Sequence, residues 1–232
     1  MTASLSAGFY ETTLREGAAA LDLTLNHTQI TQLLGYHALI QKWNKVYNLT
    51  AIRDPAEMLT HHLLDSLAVV APLNRHIVRQ TEGATAAIII KMLDVGAGAG
   101  LPGVVVAICC PQVSVTCVDA VAKKMAFVQQ VATELKLPNL RALHARVETL
   151  TEKYDVITSR AFATLLDFVT GSRAALRSDT GVWLAMKAKD TSVEVAELPA
   201  DVTVFHVEQL TVPGLDAERC IVWMRDNRSE IA

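Results

Sequence analysis

The chain has 232 residues, 51% of them hydrophobic and 19% charged, with a formal net charge of −3. This suits one soluble globular domain with a small accessory part and leaves ample material for a core. It excludes a blanket polycation, so any contact with nucleic acid must use a local basic patch. The start, MTASLSAGFYETTLRE, carries Glu11 and Glu16 and lacks the basic-then-apolar order of a secretion signal. Residues 1–80 read as helical. Asn26 with Gln29 predicts a capped helix start, followed by Ile30, Leu33, Leu34, His37 and Ile40 at helical spacing. Asp54-Pro55-Ala56-Glu57 predicts a second start, with Asp54 as cap and Pro55 at the first helical position. Met58, Leu59, His62, Leu63, Ser66, Leu67 and Val70 continue it, and Pro72 is expected to stop it. Residues 74–86, NRHIVRQTEGAT and its neighbour, read as a polar linker.

From residue 86 the pattern changes to β-rich runs alternating with amphipathic stretches. Strands are expected at 87–94, 114–119, 140–144, 154–159 and 181–187, with helices at 101–110, 121–136, 164–177 and about 190–197. This alternation predicts a parallel sheet with helices on both faces. Two consecutive strands around Pro213-Gly214, VTVFHVEQLTV and ERCIVWMRD, add an antiparallel strand at the end. The expected organisation is therefore an N-terminal helical extension, 1–80, and an α/β, Rossmann-like domain, 81–232. Residues 86–110, the most apolar stretch, are broken by Lys91, Asp94 and a Gly-Pro loop, short of the ~18 apolar residues a membrane span needs. Cys109, Cys110, Cys117 and Cys220 form no C-x-x-C pair and read as buried thiols in a reducing cytoplasm.

The loop after the first expected strand, LDVGAGAGLPG, fits two ligands. Gly98, Gly100 and Gly103 spell a dinucleotide-binding G-x-G-x-x-G. Asp94, Gly96, Gly98 and Gly100 spell D-x-G-x-G-x-G, the opening loop of many S-adenosylmethionine-dependent methyltransferases. Asp119, 23 residues after Gly96 at the end of the next strand, suits the ribose hydroxyls of either cofactor and disfavours NADP. Asp94 discriminates further. A carboxylate there opposes a pyrophosphate and favours the cationic methionine end of S-adenosylmethionine, unless it only caps its own loop.

The segments QKWNKVYNLTAIRDPAEMLTHHLLDSL, DVGAGAGLPG, VDAVAKKMAFVQQVATELKL, ARVE and TSRAFA, in this order over residues 41 to about 225, resemble the bacterial small-subunit rRNA guanine-N7 methyltransferases, the RsmG or GidB family. The resemblance implies a class I methyltransferase fold with a mostly parallel seven-stranded sheet. It implies S-adenosyl-L-methionine as cofactor and, as substrate, N7 of the guanine at position 527 of 16S rRNA. It places Gly96 and Leu101 at the cofactor, Val147 and Glu148 beside the adenine, and Arg160 beside the methyl donor. Lys123-Lys124 stands where the family often has Lys-Arg, and Asp119-Ala120 where it often has Asp-Ser.

Guanine N7 carries an in-plane lone pair and no proton, so positioning rather than a general base should supply most of the rate. The end of the fourth expected strand reads Thr158-Ser159-Arg160, with no N-P-P-Y or D-P-P-Y tetrad, which fits ring-nitrogen chemistry. Arg160 is the candidate catalytic residue, its donors suiting a cofactor carboxylate, an RNA phosphate or guanine O6. The competing reading is a salt bridge to Asp94 or another loop carboxylate. Lys187 and Lys189 are candidate phosphate contacts, or ordinary solvated lysines. His62 and Asp65, or His61 and Asp65, are at helical contact spacing, and a structural His–Asp pair is the favoured reading over a substrate role for His62. Trp43 and Tyr47, four apart, suit packing of the arm onto the main domain better than stacking of an extruded base. The remaining histidines lack metal-ligand spacing, and no metal is expected. The expected partner is 16S rRNA within a 30S subunit or assembly particle, met by a cytoplasmic monomer. An NAD-dependent oxidoreductase and a non-catalytic ribosome-binding factor are the alternatives.

Overall fold

A computed structural model describes residues 2–83, 88–160, 164–188 and 191–228. The helical arm comprises α1 (Thr2–Ala20), α2 (His27–Tyr47), α3 (Pro55–Met58), a π-helical segment (Leu59–Leu64), α4 (Asp65–Leu67) and α5 (Val70–Thr81). The remainder alternates: β1 (Ile90–Val95), α6 (Gly103–Cys109), β2 (Val113–Asp119), α7 (Ala122–Glu134), β3 (Leu140–His144) and β4 (Val156–Arg160). Then come α8 (Leu165–Ser172), β5 (Val182–Ala188), α9 (Ser192–Ala196), β6 (Val202–Leu210) and β7 (Arg219–Asp226). The seven strands lie in the order β3-β2-β1-β4-β5-β7-β6. β1 to β5 are parallel, and β7 runs antiparallel between β5 and β6. The order reverses between β1 and β4, the switch point at which open α/β sheets bind ligands.

Strand alternation divides the core. Met92, Val115, Leu184 and Trp223 face the arm, α6 and α7, whereas Leu93, Val118, Trp183 and Val222 face α8. The arm's Leu14, Ile30, Leu33, Leu63 and Leu67 belong to the first core, so arm and sheet bury one continuous apolar surface. Polar side chains fix the docking. Gln29 completes the capping box with Asn26 and also donates to Ile108 O and Cys109 O at the end of α6. Gln32 donates to Leu135 O at the end of α7. Each satisfies carbonyls that a helix C-terminus leaves unpaired.

The expected helix from Asp54 buries all seven residues named for it, from Met58 to Val70. Its regularity is interrupted, however, by the π segment, which hydrophobic spacing does not reveal. Pro72 does not end a helix; the break falls at Ala68–Val69, and Pro72 sits in the first turn of α5, where its missing N–H has no partner to lose. The expected linker at 74–86 is helical as far as Thr81, because Val70, Leu73 and Ile77 supply an apolar stripe beneath a charged face. No described helix is long and apolar enough to cross a membrane.

Candidate active site

The glycine loop joins β1 to α6 at the switch point. Gly96, Gly98 and Gly100 have φ of 65°, 60° and 91°, in the left-handed region. At Gly100 a Cβ would also lie 2.5 Å from Val104 Cγ2, so that position is closed to any other residue on two counts. The buried Tyr36 hydroxyl of α2 donates to Ala99 O at 2.7 Å and ties the loop to the arm.

Asp94 is fully buried at the end of β1. Its Oδ2 accepts the Gly103 N–H at 2.8 Å, while its Oδ1 has no partner among the described residues. Burial pushes its carboxyl up to about 7, against the opposing pull of the Gly103 amide and the Arg160 charge. Asp94 thus caps the start of α6 and keeps one lone-pair oxygen uncommitted.

Asp119 ends β2 and holds the loop from the other side. Its Oδ2 accepts Gly98 N–H at 3.1 Å and its Oδ1 accepts Val121 N–H at 2.8 Å. Lys124 Nζ lies 3.3 Å from Oδ2, so the family-variant lysine neutralises this carboxylate. A cleft of about 230 Å³ opens here, lined by Gly96, Asp119, Val147 and Glu148 among others. Val147 and Glu148 stand on a 3₁₀ turn, Val147–Thr149, after β3. Leu101, 4% exposed, lies in the core under the loop.

Across the switch point a second cavity, of about 460 Å³, is lined by His61, His62, Asp65, Arg160, Lys187 and Glu194, with Arg219 at its wall. Its framework is an ion network centred on Asp65, which is 3% exposed. Arg160 Nη1 donates to Asp65 Oδ2 at 2.9 Å and Arg219 Nε donates to Oδ1 at 3.1 Å. Arg160 Nη1 also donates to His61 O at 2.7 Å. That carbonyl is available because of the π segment: the Asp65 N–H reaches back to Thr60 O rather than to His61 O. π turns recur at functional sites for this kind of reason.

Loop 48–54 closes the cavity's edge. Asn44 donates to Ile52 O and accepts Thr50 N–H, which fixes the loop, and Thr50 Oγ1 pairs with His62 Nε2 at 2.9 Å. Burial, reinforced by the Arg160 charge, lowers His62 to about 4, so it is neutral. The expected His–Asp pair is therefore replaced: His62 turns to Thr50, and Asp65 binds two arginines. Arg160 does make a salt bridge, but to the arm's Asp65 rather than to Asp94. Lys187 lies 2.7 Å from Glu194, whose carboxylate also accepts the Leu165 N–H. Lys189 lies outside the described residues. Trp43 stacks near Tyr47 at 5.0 Å and edge-on to Phe127 of α7 at 5.4 Å, which is the arm-packing arrangement.

The sequence candidates thus separate into two openings: Gly96, Asp119, Val147 and Glu148 in one, and His62, Arg160 and Lys187 in the other. Asp94, Gly98, Gly100 and Leu101 line neither. Asp65 was expected only as the partner of a histidine, and Arg219, Glu194 and Tyr36 were not among the candidates. Arg219 and Tyr36 carry no motif signal. Among the described residues no three His, Cys, Asp or Glu side chains gather as a metal site.

The family model described as rRNA small subunit methyltransferase G, GidB, matches residues 29–222. A ribosomal RNA small subunit methyltransferase G of Acidovorax ebreus is 65% identical over 93% of this chain and 95% of its own length. Its counterpart in Verminephrobacter eiseniae is 55% identical over 97% of this chain and 98% of its own. The solved magnesium protoporphyrin IX methyltransferase of Synechocystis, with bound SAH, shares the fold at a TM-score of 0.55 and 11% identity, covering 82% of this chain and all of that one. TrmN from Thermus thermophilus does so at 0.51 and 15%, over 72% of this chain and 53% of its own. The match across most of the chain settles the family: this protein belongs to the GidB family of rRNA small subunit methyltransferases G, and is an S-adenosylmethionine-dependent rRNA methyltransferase.

Proposed function

We propose that the chain methylates N7 of the guanine at position 527 of 16S rRNA. The arrangement that carries this reading is the pair of openings at the carboxyl ends of the parallel strands, on either side of the β1–β4 switch point, with Arg160 in one and Asp119 in the other.

The first opening fits S-adenosyl-L-methionine. The left-handed glycines form a cradle, the Asp119 carboxylate is placed for ribose hydroxyls, and Val147 and Glu148 flank the space for an adenine. The uncommitted Oδ1 of Asp94 suits the cationic methionine end. When bound, the cofactor supplies an electrophilic methyl on a sulfonium. In this reading the chain's residues bind and orient. Arg160 and Arg219, held by Asp65, grip the RNA backbone or guanine O6 and align the N7 lone pair with the methyl. That methyl would pass to the N7 lone pair, so the residues here would need only to hold cofactor and guanine in line. No proton moves, so neutral His62 need not act as a base.

In this proposal residues 1–80 serve as a helical extension that walls the substrate cavity, and residues 81–232 as the methyltransferase domain. The enzyme acts in the cytoplasm as a monomer on a 30S subunit or an assembly particle. The test maps 7-methylguanosine in small-subunit rRNA from cells with and without the gene. Loss of one site, restored by wild-type protein and not by Arg160→Ala, is the expected result. Unchanged modification in the deletion strain would overturn the assignment of N7 and of this RNA.

A further inference from the structure

A third cavity, of about 440 Å³, lies away from both openings, between α5 and the β6–β7 hairpin. On α5, Pro72, Arg75, His76 and Arg79 line it, at the spacing of one helix face. That face is opposite the stripe of Val70, Leu73 and Ile77, which packs into the core. The hairpin contributes Phe205, His206, Glu208 and Trp223.

Its chemistry is basic and aromatic. A register shift between Val204 and His206 makes Phe205 a bulged residue, 40% exposed. The Arg225 guanidinium lies over its ring at 4.5 Å. The His76 ring stacks on Trp223 at 4.8 Å, and its Nε2 is buried without a partner among the described residues. One carboxylate, Glu208, lines the groove, and it is bound by Arg75 and His206. Arg79 lines the groove, and Arg225, which lines the neighbouring cavity with Asp179 and Asp226, reaches it over the Phe205 ring; Glu208, bound by Arg75, offsets neither. On a chain of net charge −3, a cluster of this kind has the local positive charge that nucleic-acid contact requires.

Its placement relates it to the cavity. Arg219, Trp223 and Arg225 are alternate residues of β7 and face the same side of the sheet. Arg219 belongs to the substrate cavity and Trp223 to the groove, ~13 Å apart at ~3.3 Å per residue. Phosphates need arginine, and unpaired bases need an exposed ring or guanidinium plane on which to stack. The groove offers both.

We propose that this groove is a second rRNA-contact surface, holding backbone phosphates on Arg79 and Arg225 and an unpaired base against the Phe205–Arg225 stack. It rests on the chain being an rRNA methyltransferase, and extends that activity to a site remote from the reacting base. The test measures methyl transfer to 30S particles over a salt series with wild-type protein and with the Arg79→Gln/Arg225→Gln double variant. A roughly tenfold rise in KM, with the salt-dependence slope reduced by about two, supports the proposal. The effect should fall on KM rather than kcat, and Arg79→Lys/Arg225→Lys should restore the slope. Wild-type KM and slope in the Gln variant would overturn it. A photo-crosslinking residue at Phe205 gives a second readout. An adduct on 16S rRNA supports the proposal, whereas one on a ribosomal protein, or none, overturns it. Whether wild-type protein methylates the particle at all is read separately and tests the underlying reaction.

Discussion

Arg160 and Asp65 are 95 residues apart in sequence, and their Nη1 and Oδ2 atoms are 2.9 Å apart in the fold. The pair joins the tip of β4 to the arm, and Arg219 completes it from β7. Removing Asp65 leaves two guanidinium groups facing each other without a counter-charge. Asp65→Ala should cost about 3 kcal/mol of stability, the low end for breaking a buried pair, because both arginines keep some exposure. Asp65→Asn keeps the shape but weakens the orientation of Arg160. It should lower methyl transfer more than it lowers the melting temperature, as read by paired activity and calorimetry. Equal loss in both would assign Asp65 a structural role alone.

Gly100→Ala meets Val104 Cγ2 and forces an L residue to φ of 91°. Left-handed strain alone is worth about 1–3 kcal/mol. The variant should fold less stably and lose the thermal shift that S-adenosylhomocysteine gives wild-type protein. A wild-type shift would show that the loop adapts.

Tyr36→Phe deletes the hydroxyl that donates to Ala99 O and leaves a buried carbonyl unpaired. The cost should be about 1–3 kcal/mol in urea unfolding. S-adenosylhomocysteine affinity should fall as well, although Tyr36 lines neither opening. Unchanged affinity would separate the arm from the loop's order.

Asp94 has a folded value of about 7 against an ordinary 3.8. The folded state holds this proton more tightly. Its contribution to stability is therefore full below about pH 4 and is lost as pH rises through 7. A cation bound beside it favours ionisation, so S-adenosylmethionine binding at about pH 6.5 should release a proton. Calorimetric titration in buffers of different ionisation heat counts that proton, and Asp94→Asn should abolish it. Equal release from both proteins would remove Asp94 from the cofactor site.

His62 and His76 have the opposite sign. Burial first, and then neighbouring arginines, lower both to about 4. Between about pH 6.5 and 4 the unfolded chain binds protons that the folded chain refuses, so stability falls on acidification across that window. His76→Phe keeps a ring against Trp223 and should flatten the acid side of the stability profile. An unchanged profile would show that His76 protonates in place.

What could be read from the sequence was local. The cap at Asn26, the Asp54-Pro55 start, the glycine loop and the strand–helix alternation are each set by neighbours in the chain, and each is present. The expected ends of β3, 140 and 144, match its bounds. The linker at 74–86 failed because its polar residues form one face of α5, and a helix with a narrow apolar stripe has the average composition of a linker. The His–Asp pair failed for a different reason. Spacing correctly put these residues within reach, but the competing partners, Thr50 and the two arginines, come from elsewhere in the chain. The π turn left no trace either, since residues 62–70 are buried on every side and their spacing marks no single face.

Asp65 is made 154 residues before Arg219, and Gln32 is made 103 residues before Leu135. During synthesis the arm emerges first, with Leu14, Ile30, Leu33 and Leu63 facing a sheet that does not yet exist. Contacts of such long sequence separation form late and slowly. The glycine loop can take shape once β1, β2 and α6 have emerged, whereas the Asp65 network waits for the final strand. A nascent or truncated chain ending before β7 would therefore have the glycine loop without the completed Asp65 network, and, on the proposed function, competence to act on RNA would come only with the last strand.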